Sequence, residues 1–294
     1  MYLMKHNLSK FTLILLVTDS VLLDTKKKAS GKLWFDDVKF TGGVYTVIEK
    51  YPFYAGVFIK PIDRYDFKFQ NEELLCASSI IGRFWAITSG GCLFSISVNE
   101  IETSDIFLKS GTSFANGTEL TVKNMRAHDA DTVYILDDDV NLGLIRVKQG
   151  FFGHRPIKVK LASERYQIKT SSDCAILGFE AIGKGVPVNR NLLKRIDLIA
   201  LNEEECTNNV QFNQGVPKDL SFCAKWSKAN KNTCYLETGS PIVQNGVLIG
   251  IMNGAIMCGH NQLFRYLKVS KFQKALVYHE VRIQNRIGVV FVDN

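Results

Sequence analysis

At 294 residues, 46% of them hydrophobic and 11% aromatic, the chain has ample material for a core and lacks the composition of a disordered protein. An all-β barrel fold can use this length as one domain, and two small domains would also fit. The net charge of +7 is partly local: residues 1–39 hold seven Lys/Arg against four Asp/Glu, leaving +4 on the remainder, the mild excess of a solvated surface rather than a nucleic-acid footprint.

No apolar run approaches the ~20 residues that a membrane-spanning helix needs. Residues 1–20 read instead as a secretory signal. Lys5, His6 and Lys10 precede the apolar block Phe11–Val17, and Thr18-Asp19-Ser20 is a poor cleavage site. A ragged cytosolic amino terminus is the alternative. The seven cysteines fit a disulfide framework, which implies an extracellular, secreted protein. Asn116-Gly117-Thr118 is a glycosylation acceptor on the same route.

Thr18–Lys39 is a short polar connector containing Lys26-Lys27-Lys28. Tyr51–Ile59 then reads as a first strand. Cys76–Ile81 and Phe84–Thr88 alternate bulky and small residues around Gly82-Arg83, as a hairpin does. Leu120–Met125 is a further strand by alternation. The run Asp137-Asp138-Asp139 is a solvated acidic turn, because no glycine-and-glutamate calcium-loop pattern follows it. Gly178–Gly185 nearly spells a phosphate-binding loop. It lacks the Ser/Thr that would hold magnesium, and Val186-Pro187 spoils the helix that such a loop must open. Ile242–Ile249, with Asn245-Gly246 at its centre, is the strongest local hairpin signal. Ser270 can cap a terminal helix in which Phe272 and Leu276 share a face. The tail Ile287–Val292 has no assignment.

The stretch Cys234-Tyr235-Leu236-Glu237-Thr238-Gly239-Ser240-Pro241 resembles the active-site loop of the chymotrypsin/trypsin serine protease family, where Gly-Asp-Ser-Gly-Gly-Pro follows a cysteine by one residue. Other blocks fall in the family's order. Phe40-Thr41-Gly42-Gly43 resembles the mature amino terminus, with Lys39 as the cleavage residue. Thr88–Cys92 resembles Thr-Ala-Ala-His-Cys, Asn141–Val147 resembles Asp-Ile-Ala-Leu-Leu-Lys-Leu, and Tyr266–Ser270 resembles the closing strand. The resemblance runs from about Phe40 to Leu276. It implies an all-β fold, a trypsin-like double six-stranded antiparallel β-barrel with a C-terminal α-helix. Residues 21–39 would be a short pro-segment and residues 40–294 the protease-like domain.

The resemblance also says which residues stand at the family's working positions. Gly91 replaces the general-base histidine, Asn141 the orienting aspartate and Thr238 the nucleophilic serine, while Leu236 takes the glycine of the oxyanion hole. Asn232 replaces the specificity aspartate of trypsins, and Asn253, Gly254 and Ala255 form the pocket wall. Ala255 and Phe264 are expected to intrude into that pocket. The family spacing pairs Cys76 with Cys92, Cys206 with Cys223 and Cys234 with Cys258, and leaves Cys174 alone. A cut after Lys39 would free the amino group of Phe40, whose counterpart in the family pairs with the acid preceding the nucleophile, here Glu237.

Glycine cannot take a proton, and leucine is disfavoured in glycine-only backbone conformations. The implied role is therefore a non-catalytic homologue that binds or regulates proteases, inhibitors or receptors, with no cofactor and no metal. One alternative is a weakly active serine endopeptidase using another base, with His128, His154, His260 and His279 as candidates. Another is binding of acidic glycans or surfaces by Lys268, Lys271, Lys274, Arg282 and Arg286.

Overall fold

A computed structural model describes residues 43–64, 67–69, 71–98, 101–115, 124–136, 142–151, 157–179, 192–209, 218–227, 237–253, 264–282 and 288–293. In chain order, its elements begin with β1 (Val44–Tyr45), β2 (Tyr54–Ile59), β3 (Ile62–Arg64), β4 (Phe67–Phe69), β5 (Glu73–Ile80) and β6 (Trp85–Ser89). Then follow α1 (Gly90–Val98), β7 (Ile106–Ser110), β8 (Arg126–Ile135), β9 (Leu142–Val147), β10 (Lys160–Ala162), β11 (Asp173–Phe179) and β12 (Leu193–Ala200). The last are α2 (Glu203–Asn209), β13 (Ser221–Trp226), β14 (Pro241–Gln244), β15 (Val247–Ile251), β16 (Phe264–Lys268), α3 (Gln273–Arg282) and β17 (Phe291–Val292).

Strands β2, β5, β6, β9, β8 and β7 close into one antiparallel barrel. Every residue of β2 is buried, because the strand faces the barrel interior on one side and the second barrel on the other. That second barrel runs β14-β11-β12-β13-β16-β15 and is shut by the β14–β15 hairpin. Its strand β12 shows the alternation of a half-buried strand: Ile196, Leu198 and Ala200 point inward while Arg195, Asp197 and Ile199 are only partly covered. Asn245 and Gly246 both take positive φ in the hairpin turn, as an Asn-Gly turn requires. One apolar cluster joins Val57, Leu108 and Leu144 of the first barrel to Leu177, Leu248 and Leu267 of the second, so the seam between barrels is itself core. No helix among the described residues is long and apolar enough to cross a membrane.

Several sequence expectations need correction. Tyr51–Phe53 form a turn, and the first barrel strand starts at Tyr54. The described end of the expected strand Leu120–Met125 is not a strand either: Asn124 is a turn residue with φ +75, and β8 starts at Arg126. Ser270 caps nothing. It lies inside a 3-10 turn, Val269–Phe272, which feeds α3 and begins at Lys268 without a side-chain cap. Phe272 and Leu276 are buried as expected.

The tail becomes a strand. β17 pairs in parallel with β10, which lies on the connection between the barrels and itself pairs in parallel with β15. Leu161 N–H donates to Val290 O at 2.8 Å and Ser163 N–H to Val292 O at 3.0 Å. Lys158 Nζ donates to Gly288 O at 2.7 Å, and the Ser163 hydroxyl donates to Asp293 Oδ1. Val289 and Phe291 pack against the seam cluster and Val292 against the second barrel's core.

Two disulfides are present among the described residues. Cys76–Cys92 ties β5 to α1, and Cys206–Cys223 ties α2 to β13. Cys174 is free and buried; burial and the neighbouring Asp173 push its thiol up to about 12, so it is a protonated, unreactive group. β14 runs beside β11 with Val243 opposite Ala175, which sets buried Gln244 alongside Cys174. The Gln244 amide instead clamps Lys169, accepting from its N–H and donating to its carbonyl, both at 2.9 Å.

Two outcomes follow from this packing. A chain ending at Arg286 loses two ladder hydrogen bonds and partly buried Val289, Phe291 and Val292. It should be less stable by about 2 kcal/mol in denaturant melts, with faster amide exchange at Leu161 and Ser163. Non-reducing peptide mapping should find Cys174 as a thiol that alkylates only after unfolding.

Candidate functional site

The loop from Glu237 to Ser240 lies on the seam and is held from both barrels. From the first, Ala77 N–H donates to Thr238 O at 2.9 Å. From the second, Gly239 N–H donates to Met252 O at 2.8 Å and Met252 N–H to Ser240 O at 2.9 Å. Gly239 sits at φ +83, and a Cβ there would lie 2.1 Å from Ala77 O and 2.4 Å from Thr88 Oγ1. Only glycine can occupy this position. Thr88 Oγ1 also donates to Ala77 O at 2.7 Å, which fixes the wall against which Gly239 rests. Thr238 is half-buried, next to this rigid point.

Gly91 lies in the first turn of α1, a helix that the sequence did not announce. Ser89 Oγ accepts from Cys92 N–H at 3.3 Å, an N-terminal cap, and the Cys76–Cys92 bridge anchors the same turn. On the other side, Gly143 of β9 makes room for Leu93, since a Cβ there would lie 2.7 Å from Leu93 Cδ1. Among the described residues, a Cβ on Gly91 would meet only Ser89 Oγ at 3.3 Å and Asn253 Oδ1 at 3.5 Å. So the fold brings Gly91 and Asn253 together. The Thr238 carbonyl is bound by Ala77, the residue after Cys76, whose bridge reaches Cys92 in the same turn as Gly91.

Glu237 is buried, at 4% exposure. Its Oε2 accepts from the Tyr54 hydroxyl at 2.9 Å and from Phe179 N–H at 3.2 Å, and the Tyr54 and Phe179 rings meet edge-on at 5.0 Å. Oε1 has no hydrogen-bond partner among the described residues. Burial raises the Glu237 carboxyl to about 7, against the lowering effect of its two donors. Burial, and then the charge of Glu237, hold the Tyr54 hydroxyl well above its ordinary value. Nothing in the sequence pointed to Tyr54, which lies 183 residues from Glu237; its hydroxyl on a fully buried strand is the sole local hint.

Among the alternative bases, His128 is committed to structure. It is 4% exposed, its Nε2 bonds Ser110 Oγ at 2.8 Å, and its ring lies on Phe151 at 4.6 Å. His279 belongs to α3. Of Phe264 only the backbone is described, as the first residue of β16. Lys39, Phe40, Asn116, Asn141, His154, Asn232, Cys234, Leu236, Gly254, Ala255, Cys258 and His260 lie outside the described residues. Among those described, no group of His, Cys, Asp and Glu is gathered as a metal site.

Comparison with known proteins bears on the same region. The trypsin family profile matches residues 56–276. Trypsin Blo t 3 of Blomia tropicalis is 24% identical over 197 residues, covering 66% of this chain and 72% of that one. Serine protease SP24D of Anopheles gambiae is 23% identical, covering 69% and 71%. Two solved structures share the fold, the scabies mite inactivated protease paralogues S-D1 and S-I1. They have TM-scores of 0.61 and 0.63 at 19% and 16% identity, and cover 84% and 83% of this chain and 98% and 99% of theirs.

The geometry sets two contrasting expectations for glycine. Gly239→Ala should cost roughly 3 kcal/mol or more, or abolish folding, through strain and overlap with Ala77. Gly91→Ala should leave the melting temperature unchanged or slightly raised, because the new Cβ asks only a small shift of the Ser89 hydroxyl and alanine favours the helix. A second expectation concerns Glu237 in the chain uncut at Lys39. Its folded value lies above its ordinary one, so between about pH 4.5 and 7 the folded state holds a proton that the unfolded chain releases. Stability therefore falls as pH rises through that window, by about 3 kcal/mol once complete. Melts of Glu237→Gln should lack this fall, so the variant gains on the parent between pH 5 and pH 8. A cation reaching Oε1, such as the Phe40 ammonium after a cut at Lys39, would cancel the difference.

Proposed function

The chain belongs to the trypsin family, and from that premise we propose that it keeps the family's frame without its chemistry and acts by binding other proteins. The observation that carries this reading is Gly91. It occupies the first turn of the bridged helix, beside Asn253, and among the described residues only Ser89 and Asn253 lie in the direction its side chain would take. Acyl transfer by a hydroxyl needs a group there to accept its proton, and glycine has none. The names of the two mite structures support the same reading, since both are described as inactivated protease paralogues.

The partners are proposed to be proteases, their inhibitors or receptors, met outside the cell. Disulfides at Cys76–Cys92 and Cys206–Cys223 favour an oxidising compartment. Trypsin-type relatives are consistent with that setting. One observation favours weak endopeptidase activity instead: Thr238 retains a half-buried hydroxyl on a loop fixed from both barrels.

Purified protein should show no turnover of casein or of peptide amides. Thr238→Ser alone should not restore it, because nucleophile and base act as a unit. Turnover that co-purifies with the chain and disappears in Thr238→Ala would establish the endopeptidase reading instead.

A further inference from the structure

The end of the chain covers a strand edge that is better anchored than the segment lying on it. Leu161 and Ala162 of β10 and the following Ser163 are 0%, 1% and 5% exposed. One side of this strand pairs with β15, and Val159 N–H, just before it, donates to Ile80 O of the first barrel at 2.9 Å. The other side offers the Leu161 and Ser163 N–H groups, which donate to Val290 O and Val292 O of the tail. The tail itself is held lightly. None of residues 288–293 is buried, and β17 is two residues long. Two polar contacts close its ends, Lys158 Nζ on Gly288 O and the Ser163 hydroxyl on Asp293. Val289 and Phe291 pack against the seam cluster, and Val292 against the core of the second barrel. A fixed strand edge of this kind is what strand addition uses: main-chain hydrogen bonds supply affinity and alternate side chains supply specificity.

We propose that the edge of β10 is an acceptor site for an extended segment of a partner protein, covered in the resting chain by its own tail as a displaceable strap. The tail defines the chemistry that fits. The segment runs parallel to β10, with apolar residues at the places of Val289, Phe291 and Val292 and an acid that reaches the Ser163 hydroxyl. Contacts of this size favour the covered state by about thirtyfold. The edge is therefore open in about one molecule in thirty, and a competing segment binds with its apparent Kd raised by the same factor. Because Val159 and β15 hold β10 independently of the tail, the edge persists when the strap leaves. Use of the site by a protein partner rests on the binding role proposed above; the acceptor edge itself does not.

The probe is a fluorescein-labelled peptide of Ile287–Asn294, titrated into the full chain and into the full chain carrying Val289→Asp with Phe291→Asp. In that variant, amide exchange at Leu161 and Ser163 should quicken as the tail comes off. The peptide should then bind one to one, with a Kd on the order of 0.1 mM given the mM effective concentration of a tethered tail, and should slow that exchange again. The parent chain should bind about thirtyfold more weakly, and a peptide of reversed sequence should bind neither. A chain ending at Arg286, which vacates the edge without added charge, should match the variant. Unchanged exchange in the variant, no binding to the tail-free chains, equal binding of the reversed peptide, or equal affinity for the parent would overturn the site. A dimer of the parent that exchanges tails would assign the edge to a second copy and overturn the partner. Peptidase turnover by a chain that binds the peptide would remove the binding role and keep the site; an inactive chain that ignores the peptide would do the reverse.

Discussion

Everything at the site depends on the clasp in which Ala77 of the first barrel holds the loop of the second. Its N–H takes the Thr238 carbonyl, and its own carbonyl leaves room for nothing larger than the Gly239 hydrogen. The same strand residue adjoins Cys76, whose bridge fixes the start of α1 and hence Gly91. This backbone contact therefore links the loop of the second barrel to the strand of the first that also anchors the helix, across a seam that is itself apolar core. It is built from main-chain atoms and a glycine, so side-chain changes at 91 and 238 leave it untouched. This separation explains how the frame persists independently of the chemistry it can carry.

Glu237 illustrates the cost of that frame. A buried carboxyl with two donors on one oxygen and, among the described residues, none on the other is favoured when protonated and disfavoured when charged, unless a cation arrives. The loop is thus coupled to pH through buried Glu237. Tyr54 and Phe179, from different barrels, share this acid, so the coupling again crosses the seam.

Elements with local signals were legible in the sequence. The Asn-Gly hairpin and the glycine-containing loop each carry their own conformational requirement, and the pairings of Cys76 with Cys92 and Cys206 with Cys223 were what the family resemblance implied. What escaped was tertiary. No periodicity in residues 288–293 announces a parallel partner in β10, because two residues of strand are decided by the edge they find. The helix starting at Gly90-Gly91 contradicts propensity and forms because Ser89 caps it and Cys92 is bridged. Ser270 looked like a cap, yet the chain enters α3 through a 3-10 turn that needs none. Around the site, Gly91 lies beside Asn253 and the Thr238 loop is tied to Ala77, whereas Tyr54 could be found only in three dimensions.

The central claim is that a hydroxyl held in the right frame remains inert without a base beside it. Treatment of the purified chain with a fluorophosphonate probe, read by intact mass and peptide mapping, addresses this directly, since such probes react only with an activated hydroxyl. The account predicts no adduct at Thr238 over a range of neutral to mildly alkaline pH. A stoichiometric adduct on Thr238, prevented by prior unfolding, would contradict it.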